Sequence, residues 1–339
     1  MKLNHLMALP LDTESETVAT GFQHLDHLTG GLRTGQLWTV SARPGEGKTA
    51  FAVSLLRNIG VIQKVPTAYL SLESNRSEIM RRLKASLTGS WETVPAPSVE
   101  MMDVMNMIGL HYRDIEQEAI QLIEDAPILI EYDSEASVDV IVSRMEKLRQ
   151  EKHVRVVIID SVSLLMCGRT HIEQTQVIKK LYQTAGKLKI VVILTAGLDP
   201  LEEMREGCCR PQLTDLRGMG QIEVFSSMVM FVYRLDYYCF EIFEDDCDSC
   251  DFEMSENGTT HLYRICDTFE DGTSAIDMAD IMVEKNNFGG TGNVRMRFDN
   301  HAGFKEALFE KDDENYMFEP SDTGLSVSQP LFTLSNFTV

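Results

Sequence analysis

The nine residues from Ser41 to Thr49, S-A-R-P-G-E-G-K-T, have the types and spacing that hold phosphate. The pattern G-x-x-x-x-G-K-[ST] is met at Gly47, Lys48 and Thr49, with Ala42 where the first glycine would stand. A glycine-rich turn points successive backbone N–H groups into one concavity, and a helix that starts there adds its positive end. Arg43, Pro44, Gly45, Glu46, Gly47, Lys48, Thr49 and Ala50 are therefore the expected nucleotide-binding residues. Lys48 brings a point charge to the β- and γ-phosphates, and the Thr49 hydroxyl is a ligand for Mg²⁺. A plain glycine-rich strand–helix turn gives no reason for Lys-Thr at the helix start.

Two acids complete the candidate chemistry. Asp160 closes the apolar run VVIID; an acid at the end of a strand beside the phosphate loop can hold Mg²⁺ through water, or it can simply cap the next turn. Glu73 closes TAYLSLE. If that strand lies beside the phosphate-loop strand, its carboxylate can polarise an attacking water. The alternative for Glu73 is the ordinary role of an acid at a helix start.

These residues need elements to place them. Residues 36–42 read as a strand, and 48–60 as a helix ended by its glycine. Residues 67–73 read as a second strand and 74–89 as a second helix with a Ser/Asn cap. The alternation continues with helices over 113–126, 137–151 and 177–188 and strands over 127–133, 154–161 and 189–196. SSMVMFVYR, ADIMVEK and GNVRMRF read as later strands of the same sheet. Such alternation implies βαβ units and an α/β fold with a mostly parallel sheet.

The formal charge is −21, an awkward sign for a nucleic-acid binder, but it is localised. Between Glu241 and Asp271 stand eleven acids and one Arg, so the rest of the chain is only mildly acidic. Charge thus neither supports nor forbids a nucleic-acid partner. The seven Cys, odd in number and unevenly spread, read as reduced thiols. No apolar run approaches the roughly 20 residues that cross a bilayer, and the first residues lack a signal-peptide core. A cytoplasmic protein with no membrane partner is the expectation.

The segments Thr20–Leu56, AYLSLES, VVIIDSVSLL, LTDLRGMGQIE, MFVYRLDYY and EKNNFGGTGNVRMRF, in that order, resemble the C-terminal RecA-like motor domain of DnaB-type replicative helicases. The similarity runs from about Thr20 to Phe304, and the family often carries A-R-P-x-x-G-K-T, which accounts for Ala42. It implies a RecA-like P-loop NTPase: a mostly parallel twisted central sheet with helices on both faces. It also implies ATP and Mg²⁺ as cofactors, Lys48 and Thr49 as the Walker A pair, Glu73 as catalytic base and Asp160 as Walker B acid. Arg217, Gly218 and Gly220 fall in the loop that tracks the DNA backbone, and Lys285 and position 287 in the segment that reaches a neighbour's nucleotide site. Single-stranded DNA, further copies in a hexameric ring, and primase or loader proteins are the implied partners.

Three segments depart from the family pattern. The arginine finger is Asn287, the family's Ser-Gln after the fourth core strand is Thr195-Ala196, and its Gln-Asp-Ala-Asp is Val224–Ser227. The family's N-terminal primase-binding domain and most of its linker helix have no counterpart in these residues. Two functions stay open: a DNA-translocating ATPase, or an ATP-binding accessory protein of helicase descent with weak or no hydrolysis. The expected organisation is a short leader over 1–19, the motor domain over 20–318 with an acidic insertion at 240–275, and a weakly ordered tail over 319–339. Cys247 and Cys250, with His261 and Cys266, make a loose zinc set, against which stands a solvated acidic hairpin. His24 and His27 read as surface or packing histidines.

Overall fold

The computed structural model describes residues 17–88, 112–198, 210–235, 240–243, 252–256, 259–265, 275–300 and 302–306. The chain opens with an antiparallel pair, β1 (Thr17–Val18) and β2 (Leu32–Arg33), on either side of α1 (Gln23–Thr29). Strand β3 (Leu37–Ala42) then leads through the glycine-rich loop into α2 (Lys48–Leu56). There follow β4 (Thr67–Ser71), α3 (Arg76–Thr88), α4 (Tyr112–Glu124), β5 (Ile128–Tyr132), α5 (Val138–Lys152) and β6 (Val156–Asp160). After α6 (Val162–Met166), α7 (His171–Leu188) and β7 (Val191–Gly197) come α8 (Ile222–Phe225) and β8 (Met228–Tyr233). A separate trio comes next, β9 (Phe240–Phe243), β10 (Phe252–Glu256) and β11 (Thr259–Ile265). Three further strands close the main sheet: β12 (Met278–Asn286), β13 (Gly292–Asp299) and β14 (Gly303–Glu306).

The main sheet has nine strands in the order β14-β13-β12-β8-β3-β7-β6-β4-β5. From β8 to β5 all neighbours are parallel, while β12, β13 and β14 join antiparallel. The central strands VVIID, VVILTAG and MVMFVY are continuous apolar runs because both faces are covered. Side-chain alternation sorts each strand between two cores. Val156 and Ile158 pack with Phe51, Leu55, Ile79, Leu83 and Ile123, so α2, α3 and α4 cover that face. Val157 and Ile159 pack with Ile141, Met145, Val177, Ile178 and Leu181 from α5 and α7 on the other. The α/β fold and the later strands in one sheet are as expected.

Local rules set the helix ends. Ser137 caps α5 through its hydroxyl, and Thr170 with Glu173 forms a capping box on α7. Gly60, expected to end the phosphate-loop helix, does not. At Arg57 the helix passes into a π-helical turn, Arg57–Ile62, that runs through it. A Cβ at Gly60 would run into Ile128 Cγ2, so close approach to β5 is what requires glycine there. The segment expected as an acidic insertion, with an acidic hairpin in it, contains the small antiparallel sheet β10-β11-β9, with β10 and β11 forming a hairpin. Cys247, Cys250 and Cys266 lie outside the described residues, as do 1–16 and 319–339.

Candidate nucleotide site

Because β3, β7, β6 and β4 are parallel, their C-terminal ends open on one edge of the sheet, where α/β folds place ligands. The phosphate loop leaves β3 there. Gly47 caps α2 at φ 102°, a left-handed conformation open to glycine, and a Cβ on it would meet Phe298 at 2.9 Å. Among the described residues no side chain caps this helix start, a kind of helix end that suits an anion. Pro44 and Gly45 are exposed, Arg43, Glu46 and Ala50 buried, and Gly47, Lys48 and Thr49 half-buried at the mouth.

Glu46 is the unusual member of the loop. Its side chain is fully buried; Oε2 accepts the Arg43 N–H at 2.7 Å, while Oε1 has no hydrogen-bond partner among the described residues. Burial pushes its carboxyl up to about 7, against an opposing pull from Arg43 and Arg234. Arg43 in turn reaches Asp215 at 3.9 Å, tying the loop to the start of the 215–220 segment.

Lys48 Nζ stands 3.6 Å from Glu73 Oε2. The route to this pair differs from the expectation. Strand β4 does not lie beside β3, since β7 and β6 intervene, and Glu73 stands two residues past the strand end. The loops after parallel strands nonetheless reach one another. Asp160 likewise ends β6, with β7 between it and the phosphate-loop strand. It is fully buried: Oδ2 accepts the Tyr69 hydroxyl at 2.7 Å and Oδ1 the Thr195 hydroxyl at 2.5 Å. Burial and the neighbouring Asp160 push the Tyr69 phenol well above its ordinary value, so it stays a donor. Ala196, where the family carries an amide, is buried in register with Ser41.

The remaining predicted residues lie elsewhere. Arg217 and Gly218 are exposed after the short 3₁₀ turn Leu213–Leu216. Gly220 is buried instead: at φ 62° its Cα faces the α7 backbone, and a Cβ would fall 2.6 Å from the Gln174 carbonyl carbon. Packing alone therefore requires glycine at 220. Lys285 donates from Nζ to the Glu223 and Ser226 carbonyls at 2.8 and 2.7 Å, securing the end of α8 within its own chain. Asn287 is exposed, and its N–H donates to the Ser227 carbonyl at 2.9 Å. Both stand at the far end of the sheet. Asn286 is level with Met228, and Met228 with Trp38 at the start of β3, five residues before the phosphate loop and roughly 16 Å away along the strand.

This architecture has known relatives. The family model of the DnaB-like helicase C-terminal domain matches residues 17–306. The chain belongs to that family. Among DnaB-family relatives, the replicative DNA helicase DnaB of Leifsonia xyli subsp. xyli is 31% identical over 226 residues, covering 65% of this chain and 47% of the relative. A probable plasmid replicative DNA helicase of Chlamydia muridarum is 25% identical over 267 residues, covering 78% and 55%. The chain thus spans about half the length of these relatives. Two solved structures share the fold. One, described as an ATPase domain, matches with TM-score 0.65 and 23% identity over 90% of this chain and 95% of that one. A DnaB-like replicative helicase, described with its interactions with primase, matches with TM-score 0.68 and 24% identity over 90% and 65%. The DnaB-like assignment agrees with the RecA-like sheet described above.

Among the described residues no group of three or more His, Cys, Asp and Glu is placed to hold a metal ion, and no helix is long and apolar enough to cross a membrane. Sequence reasoning missed Tyr69. Its signal was a phenol in the middle of a buried strand, which needs a polar partner there.

Proposed function

We propose that this chain is the motor domain of an ATP-dependent DNA helicase, binding ATP between the phosphate loop and Glu73 and translocating on single-stranded DNA as a ring of copies. The observation that carries the reading is the Lys48–Glu73 pair at the open N-terminus of α2. A cation and a carboxylate facing each other across an uncapped helix start suit a triphosphate and an attacking water. On binding, Lys48 exchanges Glu73 for phosphate oxygens, and the freed Glu73 carboxylate accepts a proton from the water. Thr49 and, through a water, Asp160 would hold Mg²⁺, which would supply charge neutralisation for the phosphates. Arg217 and Gly218, the exposed members of their loop, contact the DNA phosphates. The motor domain runs over 20–318 with 240–275 as an acidic appendage, and a primase or loader is the further partner.

The second reading, an ATP-binding accessory protein with little turnover, is favoured by two features. Ala196 puts a methyl group beside the phosphate-loop strand, and the exposed Asn287 has no positive charge to offer a neighbour. One experiment separates the readings: ATP hydrolysis with and without single-stranded DNA, in the wild type and in Glu73→Gln. The motor predicts DNA-stimulated turnover that falls at least ~100-fold in Glu73→Gln while nucleotide affinity is kept. Wild-type turnover that does not respond to DNA rejects the motor in favour of the accessory protein.

A further inference from the structure

Asp160 ends a strand with its side chain fully buried, and both of its oxygens are already engaged. Tyr69 comes from β4 on one side and Thr195 from β7 on the other. Register explains how the phenol arrives. Tyr69 pairs with Ile158, two residues before Asp160, so its ring lies on the same sheet face and its hydroxyl reaches up the strand to the carboxylate. Thr195 follows Ile193 by two residues on β7 and faces the same side. This is the face that α2 covers, directly behind the phosphate loop. Every other side chain of β4 is small or aliphatic, and Tyr69 is itself fully buried, with Arg82 and Glu73 near enough to act on its phenol electrostatically. Its hydroxyl has one partner of consequence, the carboxylate that the proposed function places on the metal's water.

We propose that Tyr69 is a positioning residue for Asp160: with Thr195 it fixes the carboxylate rotamer from which Asp160 holds a water of nucleotide-bound Mg²⁺. Each oxygen gives one lone pair to a hydroxyl and keeps the other. With a hydroxyl on each oxygen, from strands on either side, the carboxylate is held against rotation. Outer partners of this kind orient a metal-binding group without touching the metal, and their loss weakens metal affinity by about 10–100-fold in general. The inference rests on the reading of the loop as an Mg²⁺–ATP site.

The test is a titration of Mg²⁺ into purified protein holding a fluorescent ATP analogue, with nucleotide affinity also measured in EDTA. Tyr69→Phe removes one oxygen and keeps the ring. The expected result is unchanged affinity in EDTA with a half-saturating Mg²⁺ concentration raised about tenfold. Thr195→Val, which removes the opposite donor, should shift the same midpoint. A Tyr69→Phe protein whose Mg²⁺ midpoint matches the wild type overturns the proposal. So does one that loses affinity equally in EDTA and in Mg²⁺ alongside a lowered melting temperature, since the hydroxyl would then be structural only. A wild type that binds the analogue with no response to Mg²⁺ removes Asp160 from the metal, and Tyr69's role with it. A wild type that binds no analogue at all instead overturns the underlying phosphate-loop reading, on which Tyr69's role also depends.

Discussion

Glu46 puts a carboxyl group inside the glycine-rich loop at the start of α2, with one oxygen buried and unpaired among the described residues. Its folded-state value of about 7 lies above the ordinary 4.5, so the fold binds this proton more tightly than the unfolded chain does. The stability it contributes is fully present below pH 4.5 and is lost as pH rises through 7. Glu46→Gln removes the charge and keeps an acceptor for the Arg43 N–H. Thermal unfolding should therefore show the variant more stable than the wild type at pH 8, by on the order of 2–3 kcal/mol. That advantage should disappear near pH 4, and equal stabilities at pH 8 would mean the carboxyl ionises without cost. Lys48 and Glu73 contrast with it. Their pair is solvent-exposed on the Glu73 side, contributes little to stability, and matters for what it can release to a ligand.

At the scale of elements, the phosphate-loop helix is anchored from behind by Arg57, where the π-helical turn begins. Its buried guanidinium donates to Asn58 Oδ1, to the Ser86 carbonyl at the end of α3 and to the Phe304 carbonyl on β14. Burial lowers it to about 10, still charged at neutral pH. Arg57→Ala should cost about 3 kcal/mol in urea unfolding, because two buried carbonyls lose their donor and a cavity opens. A loss under ~1 kcal/mol would mean that water replaces the guanidinium. Neither the anchor nor the turn is legible in the sequence, where the Gly at 60 reads as a helix stop. The central strands are legible, because runs such as VVIID and MVMFVY leave no other economical reading. Their order is not. A strand apolar on both faces carries no mark of its neighbours, so β4 can be placed beside β3 only conditionally, and the structure puts two strands between them. The Tyr69–Asp160 bond depends on register and is hidden for the same reason. The β10–β11 hairpin does carry a readable sign: Glu256 pairs with Thr259, and the two residues between them are Asn257 and Gly258, the dipeptide that favours tight hairpins.

At the scale of the whole molecule, the sheet separates two ends. The phosphate loop opens at one, and Lys285 and Asn287 stand at the other, roughly 16 Å of strand away. Asn287 therefore stands away from its own chain's phosphate loop. Its N–H is fixed to the Ser227 carbonyl while its side chain is exposed, so a longer residue fits there without disturbing the fold. Asn287→Arg should then act as a gain of function. If copies assemble so that position 287 meets the adjoining phosphate loop, a guanidinium supplies the charge that stabilises phosphoryl transfer, an effect worth about 10³–10⁵ in turnover where it is fully realised. Steady-state ATP hydrolysis should rise at least tenfold, and only at concentrations where native mass spectrometry with ATP detects oligomers. Dilution to the monomer should abolish the gain, because the donor and the nucleotide would no longer share an interface. A variant that assembles, binds ATP as the wild type does and hydrolyses it no faster would show that this edge does not face a neighbour's triphosphate. The ring-motor reading would then lose its catalytic interface, leaving nucleotide binding as the activity that the phosphate loop supports alone.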